Sequence, residues 1–314
     1  MTAAAPVRVA RDLVHRASEQ EILVSPPRRG TGSGYAGTTV TAGLSPYYRD
    51  HPGPYWLDAL LLVEACRQAA LSAAHEYEGL SRDIAFFFNS IDLEITDAGA
   101  LADLDGELTL HTEFDELRLR ADGAPKRIAC TQWAGDRAGR SLVRTRMVVQ
   151  GVPKGRYGEL RAYQRDGSAA PTTAALGPDD GRRAGLVAPR TVARTRPANV
   201  AIARIRDEDG AVSAALAPDF SNASLFDHDY DHYPAMVLIE AGRQLALARR
   251  AEHAPHTVTA VTATFEHFAE LDRPARLVAR HGEHRVDVEC VQDGLVVTRM
   301  SFGTAPVRTR KGAA

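Results

Sequence analysis

The sequence contains few cysteines, little net charge and no long apolar run. Cys66, Cys130 and Cys290 are far apart, odd in number and without a C-x-x-C pair, which predicts reduced, buried thiols in a cytoplasmic protein. A formal net charge of −2 over 314 residues gives no global basic field, which argues against nucleic-acid binding. No stretch approaches the roughly 18 uncharged apolar residues of a membrane-spanning helix, and residues 1–16 lack a signal-peptide core, so no membrane partner is expected.

A convincing cofactor motif is also absent. Gly32-Ser-Gly-Tyr-Ala-Gly37 matches G-x-G-x-x-G, but no helix pattern follows it and two prolines precede it, so a Gly-rich loop is predicted. Phe226-Asp-His-Asp-Tyr-Asp-His232 places His228 and His232 among three aspartates, which makes them candidate metal ligands. The Pro-Ala-Met run that follows favours a turn feeding a helix instead. The sequence therefore predicts neither a cofactor nor a metal.

What the sequence does contain is one short stretch that occurs twice. Leu62–Leu71 and Leu238–Leu247 are identical at seven of ten aligned positions. Each copy is apolar except for a Glu, an Arg three residues later and a Gln four residues later, a spacing that puts the three on one face of a helix. A helix that is otherwise apolar belongs in an interior, where a carboxylate must be paired or used. The two polar sets are Glu64, Arg67 and Gln68, and Glu240, Arg243 and Gln244.

Similar elements surround both copies, which indicates an internal duplication. Helices are predicted at about Leu57–Tyr77, with Asp58 as N-cap, and at about Ala235–His253. We predict two units, residues 7–150 and 198–305, joined by a Pro- and Gly-rich linker of residues 151–197. Alternating apolar residues predict antiparallel strands. These are Ile84–Ile95, Glu107–Phe114, Arg127–Trp133, Ser141–Val149, Val200–Ile205, Ala211–Leu216, Val258–Phe268, Arg276–His281, His284–Val291 and Leu295–Phe302.

The repeated Glu–Arg pair has three interpretations. An exposed i, i+3 pair stabilises a helix by only about 0.2–0.5 kcal/mol, but no other charged residue lies between Ala59 and His75, unlike in a solvated helix. A buried structural pair costs desolvation and is often no better than apolar packing. The functional interpretation is a closed pocket that holds an acid, a guanidinium and an amide on a rigid element. His232 and the N–H groups of Ala235 and Met236 are then predicted at the pocket mouth, where the N–H groups would stabilise an oxyanion.

The second copy resembles the helix of a known class of enzymes. Pro234-Ala-Met-Val-Leu-Ile-Glu-Ala-Gly-Arg-Gln244 is similar to the helix of hotdog-fold acyl-thioester enzymes, including the 3-hydroxyacyl carrier-protein dehydratases. The resemblance implies an α+β fold with two tandem hotdog units, each a long buried helix wrapped by a curved antiparallel sheet. This chain departs from the dehydratases in two ways. Their histidine lies further ahead of the Glu than His228 or His232, and Arg243 stands where they have a small or apolar residue.

A narrower family shares more of the sequence. Asp231–Gln244, Leu60–Leu71 and Val14-His15-Arg16 together resemble the A-factor biosynthesis family, the γ-butyrolactone synthases of streptomycete-type signalling. Of the His-Asp-Pro that commonly precedes the first helix in those relatives, only Asp58 is present. The resemblance implies an acyltransferase that moves a β-ketoacyl group from an acyl carrier protein to the hydroxyl of dihydroxyacetone phosphate. Because the two units already form a pair within one chain, a monomer is feasible and a homodimer is open.

That reaction gives each repeated residue an expected role. Glu240, with a pKa raised by burial, is the predicted general base. Arg243 is the predicted clamp for the phosphate or the oxyanion, and Gln244 and His232 are predicted to position the substrate. A pseudo-symmetric set either completes a shared site or has become structural, and it comprises Glu64, Arg67 and Gln68.

Two other functions are also compatible with the sequence. A dehydratase or thioesterase would use the same Glu, although Arg243 argues against it because a dehydratase pocket has no phosphate to bind. A non-catalytic protein that binds an acyl ligand is the second. Arg249 and Arg250 are candidate contacts for an acidic carrier protein, or simply solvated charges.

Overall fold

The computed structural model describes residues 7–30, 34–38, 45–51, 53, 58–104, 107–177, 181–208, 210–248 and 255–307. The chain forms two compact units, the first from Met1–Ser45 and Leu61–Ala169, the second from Pro46–Leu60 and Ala170–Ala314. The segment of residues 46–60 precedes the first repeat in the sequence but belongs to the second unit. The parts of the sequence-based predictions that fall on Gly32, Leu57, Arg249, Arg250 and residues 251–253 lie outside the described residues.

The first unit is an antiparallel sheet with one long helix. Its strands are β1 (Arg28–Arg29), β2 (Tyr35–Thr38), β3 (Ile84–Ile95), β4 (Thr109–Leu119), β5 (Pro125–Gly135) and β6 (Ser141–Pro153), and its helices are α1 (Ala59–Tyr77), α2 (Ala98–Ala102) and α3 (Lys154–Gln164). The strands follow the order β1-β2-β4-β5-β6-β3, and every neighbouring pair is antiparallel.

Helix α1 has clear start and stop signals and a buried face. Asp58 caps its start, because its Oδ1 accepts a hydrogen bond of 2.9 Å from the N–H of Leu60. The helix ends just before Gly79, whose φ of 66° suits a glycine at a helix C-terminus. Gln132 of β5 donates to the carbonyl oxygen of Cys66 at 2.9 Å, which ties the helix to the sheet.

The second unit repeats this plan. Its helices are α4 (Thr173–Leu176) and α5 (Ala235–Ala248), and its strands are β7 (Ile202–Glu208), β8 (Ala211–Leu216), β9 (His256–Phe265), β10 (Ala275–His281), β11 (Arg285–Gln292) and β12 (Leu295–Pro306). They form an antiparallel sheet in the order β9-β12-β11-β10-β8-β7. Helix α5 packs across β8 to β12. Gly242 permits this approach, because a Cβ there would lie 2.8 Å from Met300 Sδ and 3.0 Å from Phe302 Cε2.

Most predicted elements are present. Each of the ten strands named above forms, and Ile84–Ile95 and Ala211–Leu216 have the predicted limits. The stretch predicted as a linker, residues 151–197, contains the end of β6, helices α3 and α4, and a 3-10 turn at Pro189–Val192. Arg194, a residue of the candidate site, follows that turn.

The three cysteines are free and buried, as the sequence predicts. Burial raises the pKa of the Cys66 thiol to about 11 and the pKa of the Cys130 and Cys290 thiols to about 12. Among the described residues, no helix is long and apolar enough to cross a membrane.

Candidate active site

Helix α5 carries the second polar set into the interior. Glu240 and Gln244 are 0% exposed and Arg243 is 5% exposed, which confirms the predicted burial and rules out a solvated ion pair. Arg243 Nε donates to Glu240 Oε2 at 2.7 Å, and its Nη2 donates to Oε1 at 2.9 Å. Gln244 Nε2 donates to the same Oε1 at 2.5 Å.

A second guanidinium, that of Arg194, completes the shell of donors around Glu240. Arg194 is 1% exposed, and its Nε and Nη2 both lie 2.9 Å from Glu240 Oε1. Its Nη1 donates to the carbonyl oxygens of Tyr47 and Asp50 at 3.0 Å each. Glu240 is therefore an anion held by two cations and an amide, and Arg194 also ties the 46–60 segment to this anion.

The electrostatics of Glu240 correct one prediction. Burial raises the pKa of a carboxyl group, but the charges of Arg194 and Arg243 and their hydrogen bonds outweigh burial and lower the pKa of Glu240 to about 2. The predicted raised pKa is wrong, because the prediction counted burial without the second arginine. At neutral pH Glu240 is a carboxylate whose oxygens already accept hydrogen bonds from three side chains, which is a poor arrangement for a general base.

The first unit contains a matching cluster on α1. Glu64 and Gln68 are 0% exposed. Arg67 donates from Nε to Glu64 Oε2 and from Nη2 to Oε1, both at 2.8 Å, and Gln68 Nε2 donates to Oε1 at 2.6 Å. Arg16 takes the place of Arg194, with its Nε 3.0 Å and its Nη2 2.9 Å from Glu64 Oε1. Burial raises the pKa of Glu64, and Arg16 and Arg67 more than reverse this and lower it to about 2.

The backbone that supplies the extra arginine is repeated as well. A 3-10 turn precedes both Arg16 and Arg194. The residues immediately before the two arginines, His15 and Ala193, have left-handed φ values of 52° and 54°. A non-glycine residue rarely adopts this conformation, so its recurrence at matching positions supports the internal duplication. The paired turns are Arg11–Leu13 and Pro189–Val192.

The two glutamines fasten this backbone to the helices. Gln244 donates to the carbonyl oxygen of Asn199 at 2.7 Å and accepts from the N–H of Ala201 at 2.8 Å. Gln68 makes the equivalent two bonds, at 2.7 and 2.8 Å, with the backbone after Arg16. Each glutamine therefore links the glutamate of its own helix to the segment that carries the extra arginine. These contacts give both glutamines a structural role.

The second unit adds acidic groups beside Arg194. Asp58 Oδ2 lies 3.6 Å from Arg194 Nη1, and both side chains are almost fully buried. Asp50 accepts hydrogen bonds from the N–H of Thr195 at 2.8 Å and from Asn199 Nδ2 at 2.7 Å. Burial raises the pKa of Asp50, but the hydrogen bonds that its carboxylate accepts together outweigh burial and lower it. These contacts fasten the 46–60 segment to the segment that follows Arg194.

A small cavity lies beside this cluster in the second unit. It has room for about one water molecule. The residues that line it include His51, Asp58, Arg243 and His256. The cavity therefore brings a guanidinium, a carboxylate and two imidazoles together, although His51 and His256 are 205 residues apart in the sequence.

The sequence matches the A-factor biosynthesis hotdog domain over residues 2–153 and 178–307. The chain belongs to the A-factor biosynthesis hotdog family. A relative from Streptomyces coelicolor is 29% identical over 88% of this chain and 82% of its own length. A relative from Streptomyces virginiae is 27% identical over 94% of this chain and 97% of its own length. Both are named 2-oxo-3-(phosphooxy)propyl 3-oxoalkanoate synthase.

Solved structures agree with the fold of this A-factor family member. The crystal structure of a protein described as an oleoyl thioesterase from Lactobacillus plantarum superposes with a TM-score of 0.51 at 11% identity, covering 88% of this chain and 98% of that chain. At that identity the likeness concerns the fold alone. Together with the family match it confirms the predicted α+β tandem hotdog fold.

The predicted mouth residues lie just before and at the start of α5. His232 Nδ1 is 2.6 Å from Asp231 Oδ1, and its ring packs edge-on against Phe268 with 4.6 Å between centroids. Ala235 and Met236 are the first two residues of the helix, and Met236 is buried. Their roles at a pocket mouth remain predictions. Among the described residues, no group of three or more His, Cys, Asp or Glu is placed to hold a metal ion.

The sequence predictions do not include several residues of these two clusters and of the cavity. The signal for Arg16 and Arg194 is a Val-x-Arg pattern, Val14-His15-Arg16 and Val192-Ala193-Arg194, which lies 48 and 46 residues ahead of the two glutamates. Two shared residues are too few to stand out. His51 has no signal either, because His51-Pro-Gly-Pro54 has the composition of a plain chain break.

Proposed function

We propose that the protein is an acyltransferase that moves a β-ketoacyl group from an acyl carrier protein thioester to the hydroxyl of dihydroxyacetone phosphate. This ester is the first intermediate on a route to γ-butyrolactone or butenolide signalling molecules. The observation that carries the proposal is the near full-length similarity to the two Streptomyces synthases. The three buried free thiols fit a cytoplasmic location.

The name of those relatives describes an ester with two recognisable parts. The 2-oxo-3-(phosphooxy)propyl part is dihydroxyacetone phosphate joined through its free hydroxyl, and the 3-oxoalkanoate part is a β-ketoacyl chain. Making this ester from a thioester forms one C–O bond and breaks one C–S bond. The hydroxyl proton passes to the departing thiolate, and nothing is oxidised or reduced.

The second-unit cluster is the proposed reaction site. Arg243 is buried beside the cavity and meets the negative charge of the reacting substrate. Glu240 keeps Arg243 and Arg194 in place as a permanent anion, since its pKa is lowered to about 2. Gln244 and His232 position the surrounding segments, and the N–H groups of Ala235 and Met236 stay as candidate oxyanion donors.

The first-unit cluster is the proposed structural copy. Arg67 Nη2 donates both to Glu64 and to the carbonyl oxygen of Val14, at 2.8 and 3.1 Å. The Arg67 guanidinium therefore holds helix α1 to the backbone just before Arg16. Glu64 and Gln68 then serve as the anchor of the Arg16 segment, as their contacts with it suggest. The protein needs only one reactive site, so a monomer suffices and a homodimer is compatible.

One assay separates the proposed function from its rivals. The purified protein is incubated with 3-oxoacyl carrier protein, with and without dihydroxyacetone phosphate, and the products are followed by mass spectrometry. An acyltransferase makes the phosphorylated ester and only with the acceptor present. A thioesterase releases free acid without it, a dehydratase instead removes water from 3-hydroxyacyl carrier protein, and an acyl-binding protein leaves all substrates unchanged. Any of the last three results would overturn the proposal.

A further inference from the structure

The cavity beside Arg243 contains a hydrogen-bond donor that the cluster itself does not use. Arg243 donates from Nε and Nη2 to Glu240. Among the residues that the structure describes, no acceptor atom binds its remaining terminal nitrogen, Nη1. The side chain is 6% exposed and lines the cavity. This N–H is therefore a candidate for binding a ligand atom.

The size and charge of the cavity define which ligand atom it takes. Room for about one water molecule is too little for a phosphate, so a substrate meets this cavity only with its reacting group. The two guanidinium charges of Arg194 and Arg243 are also balanced by two carboxylates, Glu240 and Asp58. A phosphate dianion therefore gains no net positive charge there. A neutral carbonyl oxygen that becomes an oxyanion during the reaction gains most from the available N–H of Arg243.

We infer that His51 is the catalytic base of the acyl transfer and that Arg243 Nη1 stabilises the oxyanion in this cavity. The inference rests on the proposed function and assigns its chemistry to named atoms. His51 lines the same cavity as Arg243, and its Nε2 is buried. An imidazole is the usual general base near neutral pH. In this scheme Glu240, which already accepts hydrogen bonds from three side chains, is not the general base that the sequence predicts.

The step balances without any further reactant. His51 Nε2 takes the proton of the acceptor hydroxyl as that oxygen attacks the thioester carbonyl carbon. A C–O bond forms, and the carbonyl electron pair becomes an oxyanion that accepts a hydrogen bond from Arg243 Nη1. When the intermediate collapses, the C–S bond breaks and the leaving thiolate takes the proton from His51, which restores the neutral base.

The chain immediately before His51 is held by the acid cluster. Arg194 donates to the carbonyl oxygens of Tyr47 and Asp50 while it binds Glu240. The Asp50 carboxylate is bound in turn by Thr195 and Asn199. A continuous set of contacts therefore runs from Glu240 through Arg194 to the residue next to His51. Asp50 is a positioning residue in this scheme, because its contacts hold the chain immediately before His51.

His256, at the start of β9, is the competing base because it lines the same cavity. His228 supplies a matched control, since its side chain is 47% exposed and its ring contacts Asp227 and Tyr230. Comparing substitutions at these three histidines separates a specific base from a general effect of losing an imidazole.

The test measures ester formation by wild type, His51→Ala, His51→Gln, His256→Ala and His228→Ala, all checked for equal melting temperature. We expect His51→Ala and His51→Gln to lower kcat about 10²- to 10⁴-fold, with little change in KM for the phosphorylated acceptor. Added imidazole should restore part of the His51→Ala activity, which it would not do for a structural defect. His228→Ala should match wild type.

Each other outcome counts against the inference. Near wild-type kcat in His51→Gln would overturn it while leaving the acyltransferase function intact. The same holds if imidazole fails to rescue His51→Ala, or if His256→Ala is the variant that loses activity and recovers it with imidazole. Absence of the ester with wild-type protein would instead remove the proposed function itself, and the base assignment with it.

Discussion

Arg194 Nε lies 2.9 Å from Glu240 Oε1, although 46 residues separate the two in the sequence. This contact turns a buried acid into a permanent anion, because two guanidinium groups rather than one surround it. The contact also connects helix α5 to the segment that carries Arg194. The same Arg194 side chain donates to the carbonyl oxygens of Tyr47 and Asp50. The stability and the geometry of the site therefore depend on the same carboxylate.

Replacing that carboxylate should destabilise the protein strongly. In Glu240→Gln the two guanidinium groups of Arg194 and Arg243 remain buried without an anion, and loss of one partner of a buried ion pair costs about 3–5 kcal/mol. Urea denaturation of the variant measures the loss. Glu64→Gln is the matched control and should lose less, because the Arg67 side chain is 17% exposed and that of Arg243 only 6%. Unchanged stability of Glu240→Gln would contradict this account of the cluster.

Lowering the pH should also lower the free energy of unfolding, because it protonates the two buried glutamates. The pKa of Glu64 and the pKa of Glu240 are each lowered from 4.5 to about 2 in the folded protein. The unfolded state therefore binds these protons first, so the stabilisation is complete above about pH 4.5 and is lost as the pH falls towards 2. Unfolding free energies measured by urea between pH 5 and pH 2 should fall more steeply for wild type than for the Glu64→Gln/Glu240→Gln variant. Equal slopes would show that neither carboxylate has a lowered pKa.

The sequence sufficed for features that depend on local spacing. The i, i+3 and i+4 positions of Glu240, Arg243 and Gln244 predict one buried polar face, and the structure places them so. Contacts over long sequence distances had no such signal. Arg194 lies in a Pro- and Gly-rich stretch without periodicity, and His51 follows a short polar run. The pKa of Glu240 was therefore predicted in the wrong direction, since burial was visible in the sequence and the second guanidinium was not.

The anchoring of the segment before His51 can be tested at Asp50. Its carboxylate accepts from Thr195, Arg196 and Asn199, and hydrogen bonds to a charged group contribute about 1.5–3 kcal/mol each. Asp50→Asn should therefore lower the free energy of unfolding by about 2 kcal/mol or more. Asp136→Asn is the control, because Asp136 binds several donors in a surface hairpin, where water replaces them. A loss at Asp136 as large as that at Asp50 would refute the proposed anchor.

The close packing of α5 makes a second stability prediction. Gly242→Ala places a methyl group 2.8 Å from the Met300 sulfur and 3.0 Å from Phe302, so the core must shift. We expect a loss of about 1–3 kcal/mol, typical of an overpacked core, measured by thermal unfolding. Gly155→Ala in α3 meets no atom within 4 Å. There the lower entropy of alanine in the unfolded chain should stabilise the protein by about 0.5–1 kcal/mol. The same sign of change in both variants would contradict the close packing of α5.

The central claim is that the second-unit cluster, and not its copy, serves acyl transfer to a phosphorylated acceptor. The most direct measurement is the rate of ester formation from 3-oxoacyl carrier protein and dihydroxyacetone phosphate by wild type, Arg243→Lys and Arg67→Lys. We expect wild type to form the ester, Arg243→Lys to lose about 10²- to 10³-fold in kcat because the positioned donor to the oxyanion is gone, and Arg67→Lys to keep most of its activity. Equal losses in the two variants, or no loss in Arg243→Lys, would contradict the claim.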